Sequence, residues 1–194
     1  MCLSDPHCCL ASYSKGASTC RIDTSERCCV ETETLDEWRF IQRNSYHDCT
    51  INLKEVAYDK PAEQSSVFSG CSASRAVDGN VNTYMHTNRE QSSYWIVDLG
   101  KTYQIKRIEI FNRNQGSKTT GERLRDLDII IGPSHNETLI CAHYVGPAQL
   151  GVHLFFKCGH VENARYVKLR LTGTNYLHVA EVKVYAVNDS STKN

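Results

Sequence analysis

From residue 50 onward, apolar and polar residues alternate in short runs. The runs "YVKLRL" and "EVKVYAV" each place every second residue on one face, and these inward positions are Val167, Leu169, Leu171, Val182, Val184 and Ala186. The runs "LDIII" and "IKRIEIF" are typical of strands with one or both faces covered. Because no stretch shows sustained helical periodicity, the pattern predicts an all-β protein.

Short turn signals separate these runs. They are "DGN" at 78–80, "LGK" at 99–101, "IGPS" at 131–134 and "TGTN" at 172–175. Many short strands with regularly spaced turns predict an antiparallel β-sandwich or jelly roll.

The composition changes near residue 50, which predicts two parts. Residues 1–48 are rich in cysteine and have few apolar runs, so this small module depends on disulfides for stability. We expect the sandwich to occupy residues 49–187, and the polar segment 188–194 to be a flexible tail.

Charge and hydropathy exclude several classes of protein. Lys and Arg total 22, as do Asp and Glu, and this balance disfavours nucleic acid as a partner. No apolar run is long enough to span a membrane, and no paired exposed Trp or Phe indicates membrane insertion. The first residues, "MCLSDPHCCL", do not have the pattern of a signal peptide.

The ten cysteines indicate an oxidising, extracellular location. Zinc ligation is the alternative, but no C-x2-C pair is present. Cys141 and Cys158 flank a segment that we interpret as two strands and a turn, so we predict a hairpin-type bridge, which leaves Cys49 to pair with Cys71. Six cysteines in the first 29 residues pair among themselves in one of fifteen ways.

One loop carries candidate binding chemistry. The segment "FNRNQGSKTTGERL" presents Arg113 and Arg123 at either end of a run of small polar residues, directly after a strand-like run. Planar guanidinium groups on a rigid scaffold are suited to ligand recognition. An enzyme is the competing interpretation, but "DLDIII" is typical of a strand that enters the core, and no nucleophile elbow, P-loop or HExxH motif is present. We therefore expect a binding protein rather than an enzyme.

Several ordered motifs resemble the F-type lectins, the fucolectin branch of the discoidin-like jelly rolls. They are "SRAVDGN", "WIVDLGKTYQI", "NRN", "GERL" and "LHVAEVKVY", and the resemblance covers about residues 50–187. The first 48 residues, from "CCLASYSKGASTCRI", resemble the latter half of a PAN/apple-type domain in their cysteine spacing.

The resemblance implies a sugar site made of one histidine and two basic residues. His86 and Arg113 match the family's spacing with 26 residues between them, and Arg123 takes the second basic position in a loop that is three residues longer. Gln115 stands where the family has an acid. Arginine can grip two adjacent hydroxyls, a neutral histidine can donate one further hydrogen bond, and Tyr84 or Met85 is expected to form an apolar wall.

The resemblance also implies a calcium site. Its side-chain ligands would be Asp78, Asn80 and Glu181, while carbonyl or hydroxyl oxygens would come from Arg75, Thr83 and Ala180. Oxygen ligands of this kind suit Ca²⁺. The family often has a disulfide that joins the positions of Tyr84 and Ala180, and both cysteines are absent from this chain.

These features predict a secreted, calcium-stabilised lectin for fucose-containing glycans, acting in innate recognition or in cell or gamete adhesion. Because single sugar sites bind weakly, we expect a homo-oligomer or another multivalent assembly. Two alternatives stay open: the same fold with a shifted specificity for a non-fucose or charged glycan, and a structural adhesion protein that binds no sugar.

Overall fold

The computed structural model describes residues 10–14, 19–23, 38–42, 53–135, 138–158 and 162–187. The chain divides into two compact units, Met1–Ile51 and Asn52–Asn194. In the first unit, β1 (Leu10–Ser14) pairs in antiparallel fashion with β2 (Thr19–Asp23) and β3 (Trp38–Gln42). The predicted PAN/apple-like likeness and the cysteines of this segment lie largely outside the described residues, as does the tail 188–194.

The second unit is an antiparallel β-sandwich, as predicted. Its strands are β4 (Leu53–Glu55), β5 (Ala62–Gln64), β6 (Met85–His86), β7 (Glu90–Gln91), β8 (Tyr94–Asn112), β9 (Leu127–Gly132), β10 (Leu139–Tyr144), β11 (His153–Phe156), β12 (Glu162–Leu171), β13 (Thr174–Asn175) and β14 (His178–Val187). The helices among the described residues are a 3₁₀ turn at Ala73–Ala76 and one turn of α-helix, α1 (Lys118–Gly121). None of them is long and apolar enough to cross a membrane.

The 19-residue strand β8 connects the two layers. Its first part, Tyr94–Ile105, pairs with β12, and its last part, Ile105–Asn112, pairs with β14. One layer has the order β10-β9-β12-β8-β5, and the other has β11-β8-β14-β4. The turn predicted at "LGK" does not end the strand, since β8 continues to Asn112, but residues 99–102 have no partner in β12. Gly100 adopts a φ of +84°, which a glycine tolerates without strain, and its backbone N–H donates to Asp98 Oδ1 at 2.8 Å, so a local turn interrupts the ladder there.

The core lies between the two layers and confirms the predicted faces. Val167, Leu169 and Leu171 of β12 are buried, and so are the predicted inward residues of β14. Trp95 is fully buried, and its indole Nε1 donates to the Ala73 carbonyl at 2.9 Å, which ties the 3₁₀ turn to the core. The alternating pattern therefore determined which residues pack inside.

The cysteines of this unit only partly follow the prediction. Cys141 and Cys158 form a disulfide, but β10 pairs with β9 and β11 pairs with β8. The bridge therefore joins β10 to the segment just after β11, and because these two strands do not pair with each other, it does not close a hairpin. Cys71 is a buried free thiol that accepts a hydrogen bond from Arg75 at 3.5 Å, so the predicted bridge to Cys49 is not formed. Cys49 itself lies outside the described residues.

Candidate functional site

The three predicted sugar-binding residues are carried at the ends of different elements. His86 ends β6 and pairs with His178 at the start of β14. Arg113 follows the last residue of β8, and Arg123 lies two residues after α1. The three side chains lie near one another, because the rings of Tyr84 and Tyr176, at 6.3 Å and 5.5 Å from the His86 ring, carry the guanidinium groups of Arg113 and Arg123.

A buried amide, Asn112, holds the two arginine segments in place. Its Nδ2 donates to the Gly121 carbonyl at 3.0 Å and to the Gln149 carbonyl at 2.8 Å, and its Oδ1 accepts from the Arg113 backbone at 2.9 Å. Gly121 packs so closely that an added Cβ would lie 2.4 Å from the backbone nitrogen of Leu150. The loop is therefore fixed at both ends by contacts that bridge distant parts of the chain.

His86 is set up as a hydrogen-bond acceptor. Its Nδ1 lies 2.6 Å from the Thr87 carbonyl, and because a carbonyl can only accept, Nδ1 carries the proton. Burial lowers the pKa of His86, and the nearby Arg113 and Arg123 lower it further, so the ring is neutral at pH 7. Nε2 then holds a lone pair. The expectation that this histidine donates to a sugar is therefore wrong, since the scaffold takes its proton.

Each arginine lies on an aromatic ring instead of pairing with a carboxylate. The guanidinium carbon of Arg113 is 3.9 Å from the centre of the Tyr84 ring, and that of Arg123 is 4.8 Å from the Tyr176 ring. Within the described part of the chain, neither arginine has an ion pair, because Glu122 pairs with Lys118 at 3.6 Å. A π-face holds a cation without occupying its N–H donors. Carboxylates therefore do not occupy these guanidinium groups, although Nε of Arg113 is itself buried without a hydrogen-bond partner, so a ligand would have to use the terminal N–H groups of this arginine.

Aromatic rings surround His86. Phe68 packs on it at 4.7 Å between ring centres and is 44% exposed, while Tyr176 lies at 5.5 Å. Met85, one of the two residues proposed for an apolar wall, is fully buried in the core and cannot serve as one. Phe68 and Tyr176 were missed by sequence analysis, because only the fold brings their loops to His86.

A second histidine, His178, lies behind the first. Its ring centre is 5.2 Å from that of His86, and both of its ring nitrogens are buried without a hydrogen-bond partner. Burial, followed by the charges of His86, Arg113 and Arg123, lowers the pKa of His178 to about 3. His86 itself is 3% exposed, so a ligand reaches Nε2 only where Phe68 and Tyr176 leave the ring uncovered. His178 was missed by sequence analysis, because a histidine at the start of a strand is usually exposed.

The predicted cation-binding residues also come together. Gly79, with a φ of +77°, donates from its backbone to Glu181 Oε1 at 3.2 Å. The Thr83 hydroxyl donates to Asp78 Oδ2 at 2.7 Å and lies 3.5 Å from the Arg75 carbonyl. The other two predicted ligands, Asn80 and Ala180, lie next to these residues. The backbone N–H of Asn80 donates to Asp78 Oδ1 at 2.8 Å, and Ala180 lies in a bulge of β14 immediately before Glu181.

The electrostatics of this cluster fit a cation. Burial raises the pKa of Glu181 to about 7, and the charge of Asp78 raises it as well. Glu181 Oε2 is buried and has no hydrogen-bond partner. Across the residues that the structure describes, no three His, Cys, Asp or Glu side chains converge, so a cation here would be held by two carboxylates together with amide, hydroxyl and carbonyl oxygens. This mixed oxygen set suits Ca²⁺ better than a transition metal.

Comparisons with known proteins show which family the chain resembles. Residues 75–169 match the family model described as "NedA-like, galactose-binding domain". Fucolectin-6 of Anguilla japonica is 34% identical over 155 residues, which cover 77% of this chain and 78% of that protein. The lectin domain of lectinolysin, solved in complex with Lewis B antigen, is 32% identical with a TM-score of 0.61, and the match covers 70% of this chain and 98% of that domain.

A Streptococcus pneumoniae fucose binding module is 31% identical with a TM-score of 0.60, and the match covers 69% of this chain and 95% of the module. These relatives are lectins or carbohydrate-binding modules and not enzymes, in agreement with the prediction of a binding protein. The chain belongs to the fucolectin family.

Proposed function

We propose that this chain is a secreted, calcium-stabilised lectin that recognises fucose-containing glycans through His86, Arg113 and Arg123. The observation that carries the proposal is the pairing of one acceptor nitrogen with two guanidinium groups that no carboxylate neutralises. Relatives solved as a fucose binding module and in complex with Lewis B antigen support fucose as the sugar.

The chemistry of the site suits a sugar with an axial hydroxyl. That hydroxyl donates its proton to Nε2 of His86 and accepts hydrogen bonds from the guanidinium groups of Arg113 and Arg123. A hydroxyl that both donates and accepts strengthens each of its hydrogen bonds. The methyl group of fucose lies against the exposed ring of Phe68, which gives up part of its contact with His86 when the sugar enters.

Calcium is the cofactor we propose, held by the oxygens of Arg75, Asp78, Asn80, Thr83, Ala180 and Glu181. The positive charge of the ion would stabilise the ionised form of both carboxylates. It would therefore offset the free-energy cost of burying the Glu181 carboxylate. Within this chain, the backbone N–H of Gly79 and the Thr83 hydroxyl already orient the carboxylates of Glu181 and Asp78.

The biological setting we propose is innate recognition of microbial glycans or adhesion between cells or gametes. Because one sugar site gives affinities on the order of millimolar, several copies are needed for useful avidity. We therefore propose a homo-oligomer or another multivalent assembly, which sedimentation of the full chain tests directly.

A glycan array with titration calorimetry tests the sugar proposal. The full chain in calcium binds fucosylated glycans, and His86→Ala reduces L-fucose affinity at least tenfold by removing the acceptor. His135→Ala is the matched control, because this exposed histidine contacts Tyr166 and not the site residues. Selective binding of galactose or anionic glycans would favour the shifted-specificity alternative, and the absence of glycan binding in the unaltered chain would favour a structural adhesion protein. Unchanged fucose affinity in His86→Ala would refute the role proposed for His86.

A further inference from the structure

We propose that Asn82 and Gln115 form a latch that couples the cation loop, residues 78–83, to the sugar loop, residues 113–123. Through this latch, a cation bound in its site positions Arg113 for the sugar. Sugar binding in turn raises the affinity of the cation site. The inference rests on the proposed function, which it extends by naming the residues that connect the two sites.

The cation loop holds one end of the latch. The backbone N–H of Asn82 donates to Asn80 Oδ1 at 3.0 Å, and the next residue, Thr83, donates to Asp78 at 2.7 Å. Asn82 is therefore flanked by two residues of the proposed cation site. A cation that draws the oxygens of Asn80 and Thr83 towards itself also fixes the backbone of Asn82.

The sugar loop holds the other end. Gln115 Nε2 donates to the Asn82 carbonyl at 2.8 Å, and Asn114 Nδ2 donates to Asn82 Oδ1 at 3.2 Å. Both donors immediately follow Arg113. A second connection runs in parallel, because Tyr84, next to Thr83, carries the Arg113 guanidinium at 3.9 Å. Segment 82–84 therefore supports Arg113 from two directions.

Arg123 is held by a different part of the fold. Its carbonyl accepts from Asn175 Nδ2 at 3.3 Å, and its guanidinium lies on Tyr176. Neither residue belongs to the cation loop. The coupling is therefore expected to act on Arg113 and to leave Arg123 in place.

The chemistry of Gln115 explains why an amide is needed at this position. An ionised carboxylate has acceptors only, and it would repel the Asn82 carbonyl oxygen. The amide supplies the N–H donor that the latch requires. Gln115→Glu therefore breaks the latch with little change in side-chain size, and Gln104→Glu is the matched control at an exposed position of β8.

Calorimetry with calcium alone, and with calcium in saturating L-fucose, measures the coupling. We expect fucose to raise the calcium affinity of the full chain about fivefold, at the low end of typical couplings between sites. Gln115→Glu is expected to reduce this factor clearly, but not to one, because the contacts of Asn114 with Asn82 and of Arg113 with Tyr84 remain. Each ligand still binds this variant, and Gln104→Glu keeps the full factor. An equal factor in the full chain and Gln115→Glu would overturn the latch and leave the lectin function intact.

Hydrogen exchange gives a readout that does not depend on sugar. Calcium alone is expected to slow amide exchange in residues 113–117 of the unaltered chain and of Gln104→Glu, and to slow it clearly less in Gln115→Glu. Unchanged exchange in the unaltered chain would overturn the latch. Calcium protection without any fucose binding would instead support the latch and refute the proposed function.

Discussion

Replacing Glu181 by glutamine removes a buried negative charge and keeps the shape of the side chain. The amide oxygen can still accept from the Gly79 backbone, which lies 3.2 Å from Glu181 Oε1. Without a cation, the ionised carboxylate of Glu181 destabilises the folded state, because the residue is 2% exposed and Oε2 has no hydrogen-bond partner. We therefore expect Glu181→Gln to stabilise the chain in chelator and to lose most of the stabilisation that calcium gives.

The magnitude follows from the pKa of Glu181, which rises from 4.5 to about 7 in the folded protein. A carboxyl group with a raised folded pKa favours the folded state most below pH 4.5, and this contribution is lost as the pH rises to about 7. At about 1.4 kcal/mol per pH unit, the ionised group costs about 3 kcal/mol at pH 8. Glutamine does not ionise, so the variant in chelator is more stable by up to about that amount.

Urea unfolding at pH 8 measures the effect. The free energy of unfolding is determined for the unaltered chain and for Glu181→Gln, each in chelator and in millimolar calcium. The unaltered chain gains stability with calcium through linkage, and the variant gains much less because it lacks one anionic ligand. Gln104→Glu is the control and responds to calcium like the unaltered chain. The reasoning is refuted if Glu181→Gln is less stable than the unaltered chain in chelator, or if calcium stabilises both equally.

Three further outcomes follow from the structure. Burial lowers the pKa of His86 below 6.5, so its neutral form is retained at pH 6.5, and fucose affinity measured by calorimetry is expected to stay constant between pH 8 and pH 6.5; a fall in affinity over this range would contradict the reasoning. Arg123→Lys loses planar stacking on a ring and weakens fucose binding about tenfold, unlike Arg125→Lys. Removal of the Cys141–Cys158 bridge lowers the free energy of unfolding in denaturant titrations by about 3 kcal/mol, because the bridge closes a loop with a sequence separation of 17. A change below about 1 kcal/mol would contradict a stabilising role for this bridge.

Alternation along the chain was sufficient to predict the sandwich and its inward faces. Residues such as Val167 and Leu169 point inward because side chains in a strand alternate, and this depends only on local sequence. The long strand β8 could not be predicted, since "LGK" is an ordinary turn signal. The strand resumes after Gly100 because β8 pairs with β12 again from Tyr103 and with β14 from Ile105. The same limit applies to the Cys141–Cys158 bridge, where spacing alone indicated a hairpin.

The candidate site, like the fold, could be predicted from the sequence only in part. Family spacing identified His86, Arg113 and Arg123, because their order along the chain is part of the motif. The residues that make the site work were missed, since Asn112 acts through carbonyls of two distant segments and Phe68 reaches His86 only through the fold. Supporting contacts of this kind leave no pattern in a single sequence.

The support of the two arginines explains how the chain tolerates the loss of the family acid at position 115. A carboxylate partner would hold Arg113 by occupying its N–H groups, and a neutral sugar would have to compete with that charge for them. The ring of Tyr84 holds the same guanidinium through its face, and the ring of Tyr176 does so for Arg123. With Arg113 supported in this way, position 115 is free for an amide that reaches the Asn82 carbonyl. The site therefore keeps its donors for a ligand, and the residue that replaced the acid serves to connect the two loops.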